Sequence, residues 1–306
     1  MTLRLNGVAP LPHLGVIRAE GEDAASFLHG QLTQDFLHLG TGEARLAALC
    51  SAKGRMLASF VGLRQDDGAI LLVCSRDLLA GTLKRLSMFV LRAKVRLTDV
   101  TAELGVFGIC GDALQALSPG AHAPWTRQVL GGASLVVLYP ALGQDRALWM
   151  APTGTDAPAG AELDVAHWQW SEVMSGVATL QLATAEAFVP QMLNYESVGG
   201  VSFSKGCYPG QEVVARSQFR GTLKRRAYLV QSAQPLAAGQ EVFHDSDPGQ
   251  PCGLIAQAAA HPQAGWAGIA SLQIAAVEAG GQLSAAAPDG PRLDVLALPY
   301  PLRTDL

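Results

Sequence analysis

The stretch FVPQMLNYESVGGVSFSKGCYPGQEVVARSQFRGTLKRR, Phe188 to Arg226, decides how this chain is read. It is the least regular part of the sequence, and long irregular segments inside compact chains are often functional. Within it KGCYPGQE, Lys205 to Glu212, sets one cysteine between a glycine and a tyrosine. Pro209 fits a first helical position, where its missing N–H costs nothing. Gln211 and Glu212 then fall in the first turn of a helix running to Phe219. Cys207 would sit just outside that N-terminus, whose unpaired N–H groups favour a thiolate, with Lys205 adding a full charge. The competing reading is a buried cysteine in a tight turn. The local sequence offers no His–Asp or Cys partner for a protease-like dyad.

Downstream of the cysteine, Arg216, Arg220, Lys224, Arg225 and Arg226 place five of the 22 basic residues within eleven positions. This is either a solvated helix end or a dock for an anion such as phosphate or a chain of carboxylates.

The rest of the chain limits the possibilities. Its 306 residues exceed one simple core, and 49% hydrophobic content supplies ample material to bury. No uncharged apolar run approaches the roughly 20 residues of a membrane span. The N-terminus lacks an apolar core followed by a cleavage site, so a cytoplasmic protein is expected. Five scattered cysteines, an odd number without a C-x-x-C pair, argue against a disulfide framework and a self-contained zinc or iron–sulfur site. A net charge of −4 gives no reason to expect direct nucleic-acid binding.

Apolar spacing in EDAASFLHGQLTQDF, Glu22 to Phe36, predicts a helix. Three strands follow, about 45–50, 55–63 and 69–74, joined by the glycine-bearing turns SAKG and RQDDG. A helix near 77–89, strands near 94–97 and 134–139 and a short helix over 112–117 come next. DVAHWQWSEVMSGV, Asp164 to Val177, predicts a helix carrying Trp168 and Trp170 roughly 200° apart, so that at most one faces the core. From about Ala227, short runs separated by Gly, Pro and Asp predict a small β-rich domain. Strands and helices without regular βαβ alternation give an α+β class.

The cysteine motif with its flanks resembles the signature of the YgfZ proteins. These are folate-binding relatives of the T protein, the aminomethyltransferase of the glycine cleavage system. They are associated with iron–sulfur cluster assembly or repair and with cluster-dependent tRNA modification. GEDAASFLHGQLTQDF and AALCSAKGRMLASF stand where that family has its first helix and first hairpin. The resemblance covers most of residues 14 to 226. It implies a three-part ring: two interleaved α+β units, 1–45 with 145–225 and 46–144, and a C-terminal β-barrel over 226–306. The ring would surround a channel for tetrahydrofolate or a derivative.

By the same resemblance Cys207 and Lys205 are the reactive pair. Trp168, Gln191, Asn194, Gln211, Glu212, Arg216, Arg220 and Arg226 are the expected folate contacts. Trp168 would stack on the pterin, and the arginines would hold the carboxylate tail. Leu14 falls where a second aromatic is expected. Cys207 should face an open, electropositive hollow large enough for the pterin. The implied partners are folate and iron–sulfur proteins or their assembly machinery, with a transient cluster on Cys207 as a further expectation and no membrane involved. Leu57 and Ala58 fill the T protein's catalytic acid positions, which removes the carboxylate that would steer proton transfer at folate nitrogen. The alternative is a one-carbon transferase with a different substrate and Cys207 as nucleophile.

Overall fold

The computed structural model describes residues 4–219 and 223–303. The chain opens with strands β1 (Gly7–Pro10) and β2 (Leu14–Glu20), helix α1 (Ala24–Gln31) and a meander of β3 (Ala44–Cys50), β4 (Met56–Arg64) and β5 (Ile70–Ser75). Helix α2 (Arg76–Ser87) and β6 (Arg96–Asp99) complete the first unit. Its sheet is antiparallel, ordered β3-β4-β5-β2-β6. Every residue of β5 is buried, because the strand lies inside the sheet and α2 packs against it. A strand covered on both faces reads as the continuous apolar run ILLVC rather than an alternation.

The second unit holds β7 (Leu104–Cys110), α3 (Asp112–Leu117), β8 (Arg127–Leu130), β9 (Ala133–Val137) and β10 (Arg146–Pro152). Its sheet runs β1-β7-β10-β9-β8. The division of 1–45 with 145–225 against 46–144 therefore does not describe the pairing. Strand β2 pairs with β5 inside the first sheet, and β10 pairs with β7 and β9 inside the second. The short β1 crosses over, pairing with β7, and a single bridge from Glu43 to Thr126 also joins the two units. Sequence order hides this, because hairpin pairing joins neighbours while one edge strand is exchanged between units.

Helix α4 (Val165–Met174) comes next, capped by Asp164, which accepts from the Ala166 amide at 2.7 Å. The long irregular segment follows, then α5 (Gln211–Phe219) and the closed barrel. The barrel's strands are β11 (Arg225–Ser232), β12 (Glu241–His244), β13 (Asp247–Ala260), β14 (Trp266–Gln273), β15 (Leu283–Ala285) and β16 (Arg292–Leu296), with helix α6 (Ile274–Glu278) between β14 and β15. Pairing of β16 back onto β11 closes it and removes the exposed edges an open sheet would carry. This is an α+β chain with a six-stranded C-terminal barrel.

Both tryptophans of α4 are buried, Trp168 at 0% and Trp170 at 3% exposure. The rings point to different bodies, one to the second sheet and one to the barrel, because α4 is covered on two sides. Trp168 faces the second sheet, where a β-carbon on Gly108 would lie 2.4 Å from its ring. Trp170 faces the barrel and meets His261 edge-on at 4.7 Å.

The irregular segment takes its order from all three bodies. The Met56 amide donates to Phe188 O at 2.8 Å, and Leu180 N to Ser59 Oγ at 2.8 Å. Ser202 N donates to Thr33 O, and Asn194 Nδ2 to Ala227 O on the barrel. Its backbone groups are satisfied by neighbours instead of by a ladder of their own.

Candidate functional site

Helix α5 starts at Gln211, not at Pro209. Gly210 has a φ of +81°, outside the helical region, and its α-carbon presses on the β3–β4 turn. A β-carbon there would lie 2.4 Å from Ser51 O. Cys207 thus sits a full turn before the helix, beyond the range over which a helix end acts strongly.

Of the five cysteines Cys207 alone is exposed. Burial pushes the Cys50 and Cys74 thiols up to about 12 and Cys110 up to about 11.

Lys205, two residues earlier, is buried at 8% exposure. Its Nζ donates to the carbonyls of His29 and Leu32, the latter at 2.7 Å. It therefore serves the C-terminal end of α1, where carbonyls lack helical partners. Burial pushes its ammonium down to about 8, while Asp35 and Cys207 pull it up.

The expected folate contacts do not converge on one hollow. Gln191 is fully buried and its Nε2 donates to Val214 O at 2.7 Å, fastening the 3-10 turn Pro190–Leu193 to α5. Asn194, left-handed at φ 57°, exchanges hydrogen bonds with the backbone of Ala227. Arg226 forms a buried ion pair with Glu196, Nη1 to Oε1 at 2.7 Å. These side chains join the irregular segment to α5 and the barrel, and the arginine's Nη1 is spent on Glu196. Gln211, Glu212 and Arg216 lie on α5, with Glu212 and Arg216 exposed. Arg220 lies outside the described residues.

A cavity does exist between the two sheets. Its walls include Leu14, Phe60, Trp125, Tyr139, Arg146 and Glu172, and its lining contains none of the expected folate contacts and not Cys207. This cavity does not adjoin the cysteine. Glu172 supplies the cavity's carboxylate. Its Oε1 accepts from Trp168 Nε1 at 2.8 Å, and both oxygens lie 3.2 Å from His13 Nε2. Burial pushes His13 down, but hydrogen bonding and charge from Glu172 outweigh it and the ring stands above its ordinary value.

Arg146 supplies the cation. Its guanidinium lies 5.1 Å from the centre of the Trp168 ring and donates to Tyr139 O and Ser171 Oγ. Trp168 therefore holds both charged groups from beneath instead of facing the cavity. Trp125 and Tyr139, 5.7 Å apart, provide aromatic surface, and Trp125 does so from a left-handed backbone at φ 68°. For a bulky residue such a conformation is uncommon.

Glu172, Arg146, Trp125 and Tyr139 were not anticipated. Two signals pointed to them. Glu172 lies one helical turn from Trp168, and Arg146 is a lone charge opening the apolar strand RALWM. Nothing in the sequence marks Trp125 or Tyr139 as neighbours.

The cavity encloses about 60 Å³. An engineered apolar cavity of ~150 Å³ takes up benzene, so a pterin enters only when wall side chains move outward. Its chemistry does fit a pterin. A carboxylate retains acceptor capacity beyond its present bonds, and the walls are aromatic and aliphatic.

Among the described residues no helix is long and apolar enough to cross a membrane, and no group of three or more His, Cys, Asp or Glu side chains is placed to hold a metal ion.

No family model matches the chain. Individual proteins do. A tRNA-modifying protein YgfZ from Edwardsiella ictaluri is 34% identical over 242 residues, covering 74% of this chain and 71% of the relative. Its namesake from Colwellia psychrerythraea is 31% identical over 234 residues, covering 72% and 70%. Among solved structures, aminomethyltransferase T of the glycine cleavage system from Bartonella henselae superposes with a TM-score of 0.68 at 15% identity, over 97% of this chain and 87% of that one. The fold is that of the T protein, and the sequence identity over most of both chains shows that this chain belongs to the YgfZ family.

Proposed function

We propose that this protein binds tetrahydrofolate or a derivative in the cavity between its sheets. Through Cys207 it supports iron–sulfur cluster assembly or repair in the cytoplasm, and thereby cluster-dependent tRNA modification. The observation that carries the folate reading is the pair of charged side chains, Glu172 and Arg146, set into the aromatic wall of that cavity. Support for the cellular role comes from the relatives named as tRNA-modifying proteins.

In this reading Glu172 accepts from the amino and N–H donors of a pterin ring, as a carboxylate does for any guanidine-like edge. Trp125 and Tyr139 pack against its flat surface. Arg146 sets a positive charge against Glu172, and Trp168 fixes both. A bound folate supplies a ring system able to carry a one-carbon unit. Leu57 and Ala58 on β4 bring no carboxylate, so the cavity's acid comes from α4 instead. Cys207 works apart from this cavity, at the surface. A cluster usually takes four ligands, so one held by Cys207 draws the rest from a partner protein, a second copy or a small thiol.

Titration of the protein with tetrahydrofolate, followed by tryptophan fluorescence, tests the site. Glu172→Gln should weaken binding about tenfold or more, the size of a lost hydrogen bond to a charged group. Unchanged affinity, or no binding by the wild type, rejects the cavity. In cells, Cys207→Ala should lower the activity of cluster-dependent tRNA-modifying enzymes while the purified variant still binds folate. Full activity in those cells rejects the role given to the thiol.

A further inference from the structure

A second hollow lies where α4 meets the barrel. It is a cleft of about 570 Å³, within the roughly 300–1,000 Å³ of ordinary ligand sites. It shares no wall residue with the cavity between the sheets. Three bodies build it. Leu142 reaches in from the β9–β10 connection, Trp170 and Met174 from α4, and His261, Trp266 and Asp294 from the barrel. Leu142 does so from a left-handed backbone at φ 55°, a costly conformation that clusters at functional sites.

The aromatic wall is held in place. Trp170 is 3% exposed and meets the His261 ring edge-on. His261 Nδ1 accepts from the amides of Gln263 and Ala264 at 3.1 and 3.3 Å, and the His261 amide donates to Gly265 O at 2.9 Å. This network fixes the β13–β14 turn and puts the ring proton on Nε2, so the imidazole brings no charge. Trp266, just after the turn, is half-buried and lines the cleft. Two polar groups of the walls lack partners. Trp170 Nε1 is buried and donates to nothing among the described residues. A buried donor in that state costs free energy that an acceptor on a ligand would restore. The Asp294 carboxylate, exposed on β16, makes no hydrogen bond or ion pair among the described residues.

These features select among ligands. An anion is disfavoured, because the cleft's carboxylate is negative and no Lys or Arg among the described residues lines it. A bare organic ammonium offers Trp170 no acceptor. A flat body carrying both an acceptor and an amino donor suits both groups. We propose that this cleft binds the amino-bearing nucleobase of a free nucleoside, that of adenosine, cytidine or guanosine. The base stacks on Trp266. Its exocyclic amino group donates to Asp294, and a ring nitrogen or carbonyl supplies the acceptor that Trp170 Nε1 lacks. Leu142 and Met174 add apolar contact. The sugar is left toward solvent, where a phosphate finds no cation from the cleft. The site is separate from the cavity between the sheets and from Cys207, and it does not rest on the folate reading.

The test is equilibrium dialysis of the full chain against labelled adenosine and, in parallel, uridine, which has no exocyclic amino group. Wild type should bind adenosine with a dissociation constant below about 1 mM, and uridine about fivefold more weakly. Trp266→Ala should weaken both about tenfold, the effect of a lost stacking platform. Asp294→Asn should weaken adenosine about fivefold and leave uridine unchanged. No adenosine binding by wild type overturns the proposal, and so does an equal loss of both nucleosides in Asp294→Asn. Circular dichroism checks the fold, and if Trp266→Ala does not fold, the exposed Asp294→Asn decides by the same comparison. Triadenylate bound more tightly than adenosine would overturn the choice of a free nucleoside in favour of RNA. Saturating tetrahydrofolate should leave adenosine binding unchanged; displacement would mean that the cleft takes the pterin, and would overturn the assignment. Failure of tetrahydrofolate to bind at all would sink the cavity reading and leave this one standing.

Discussion

Replacing Arg226 by methionine separates two accounts of that side chain. The sequence suggests an arginine holding the carboxylates of a folate tail. In the structure it is the only cation on Glu196 among the described residues, and the Glu196 side chain is fully buried. Glu196 Oε1 also lies 3.2 Å from Ser197 Oγ, and Oε2 has no partner. Removal of the guanidinium therefore strands a carboxylate, an event that typically costs ~3–5 kcal/mol. Protonation offers the stranded acid an escape. From an ordinary unfolded value of about 4.3, uptake of a proton at pH 7 costs at most about 3.7 kcal/mol, 2.7 pH units at about 1.36 kcal/mol each. Arg226→Met should then lose about 3–4 kcal/mol at pH 7 but only about 1.6 kcal/mol at pH 5.5, where the same proton is cheaper. The double variant with Glu196→Leu should recover most of the loss, since an apolar pair of similar volume can be as stable as a buried ion pair.

The assay is urea unfolding of the four proteins of that cycle at both pH values. Fluorescence and near-ultraviolet circular dichroism must give coincident transitions for the free energies to be valid. A stability unchanged by Arg226→Met, coupled with lost folate affinity, would refute the structural account and restore the sequence-based one.

Two further outcomes follow from the packing of the same segment. Gly108→Ala forces a β-carbon onto the Trp168 ring and should destabilise the chain by about 1–3 kcal/mol, as overpacking does, measured by urea unfolding; neutrality would show that α4 can shift. The Lys205 ammonium is pushed down to about 8, against about 10.4 in an unfolded chain. Between those values the unfolded chain binds the extra proton, so this group's contribution is full above the upper value and is lost as pH falls through the lower one. Wild-type stability relative to Lys205→Met should therefore rise from pH 8 to pH 10; a flat difference would place the ammonium in water.

Much of the secondary structure was legible because its signals are local. Apolar runs bounded by glycine-bearing turns marked β3, β4 and β5, and helical spacing marked α1, α2 and α4. The β-rich tail closed as a barrel. The placement of Cys50, Cys74 and Cys110 in apolar strands matches their burial. The motif around Cys207 was long enough to identify the family. What failed were statements about where individual charged and aromatic side chains would point.

Sequence alone determined the order of elements, the α+β class and the family, since periodicity, turn residues and motif length are written along the chain. Tertiary structure alone decided that Trp168 supports the cavity from beneath, that Arg226 pairs with Glu196 inside the fold, and that Lys205 is spent on the carbonyls at the end of α1. The physical reason is that partners of buried polar groups come from whichever backbone passes within about 3 Å, and that proximity exists only once sheets, helix and barrel have closed on one another.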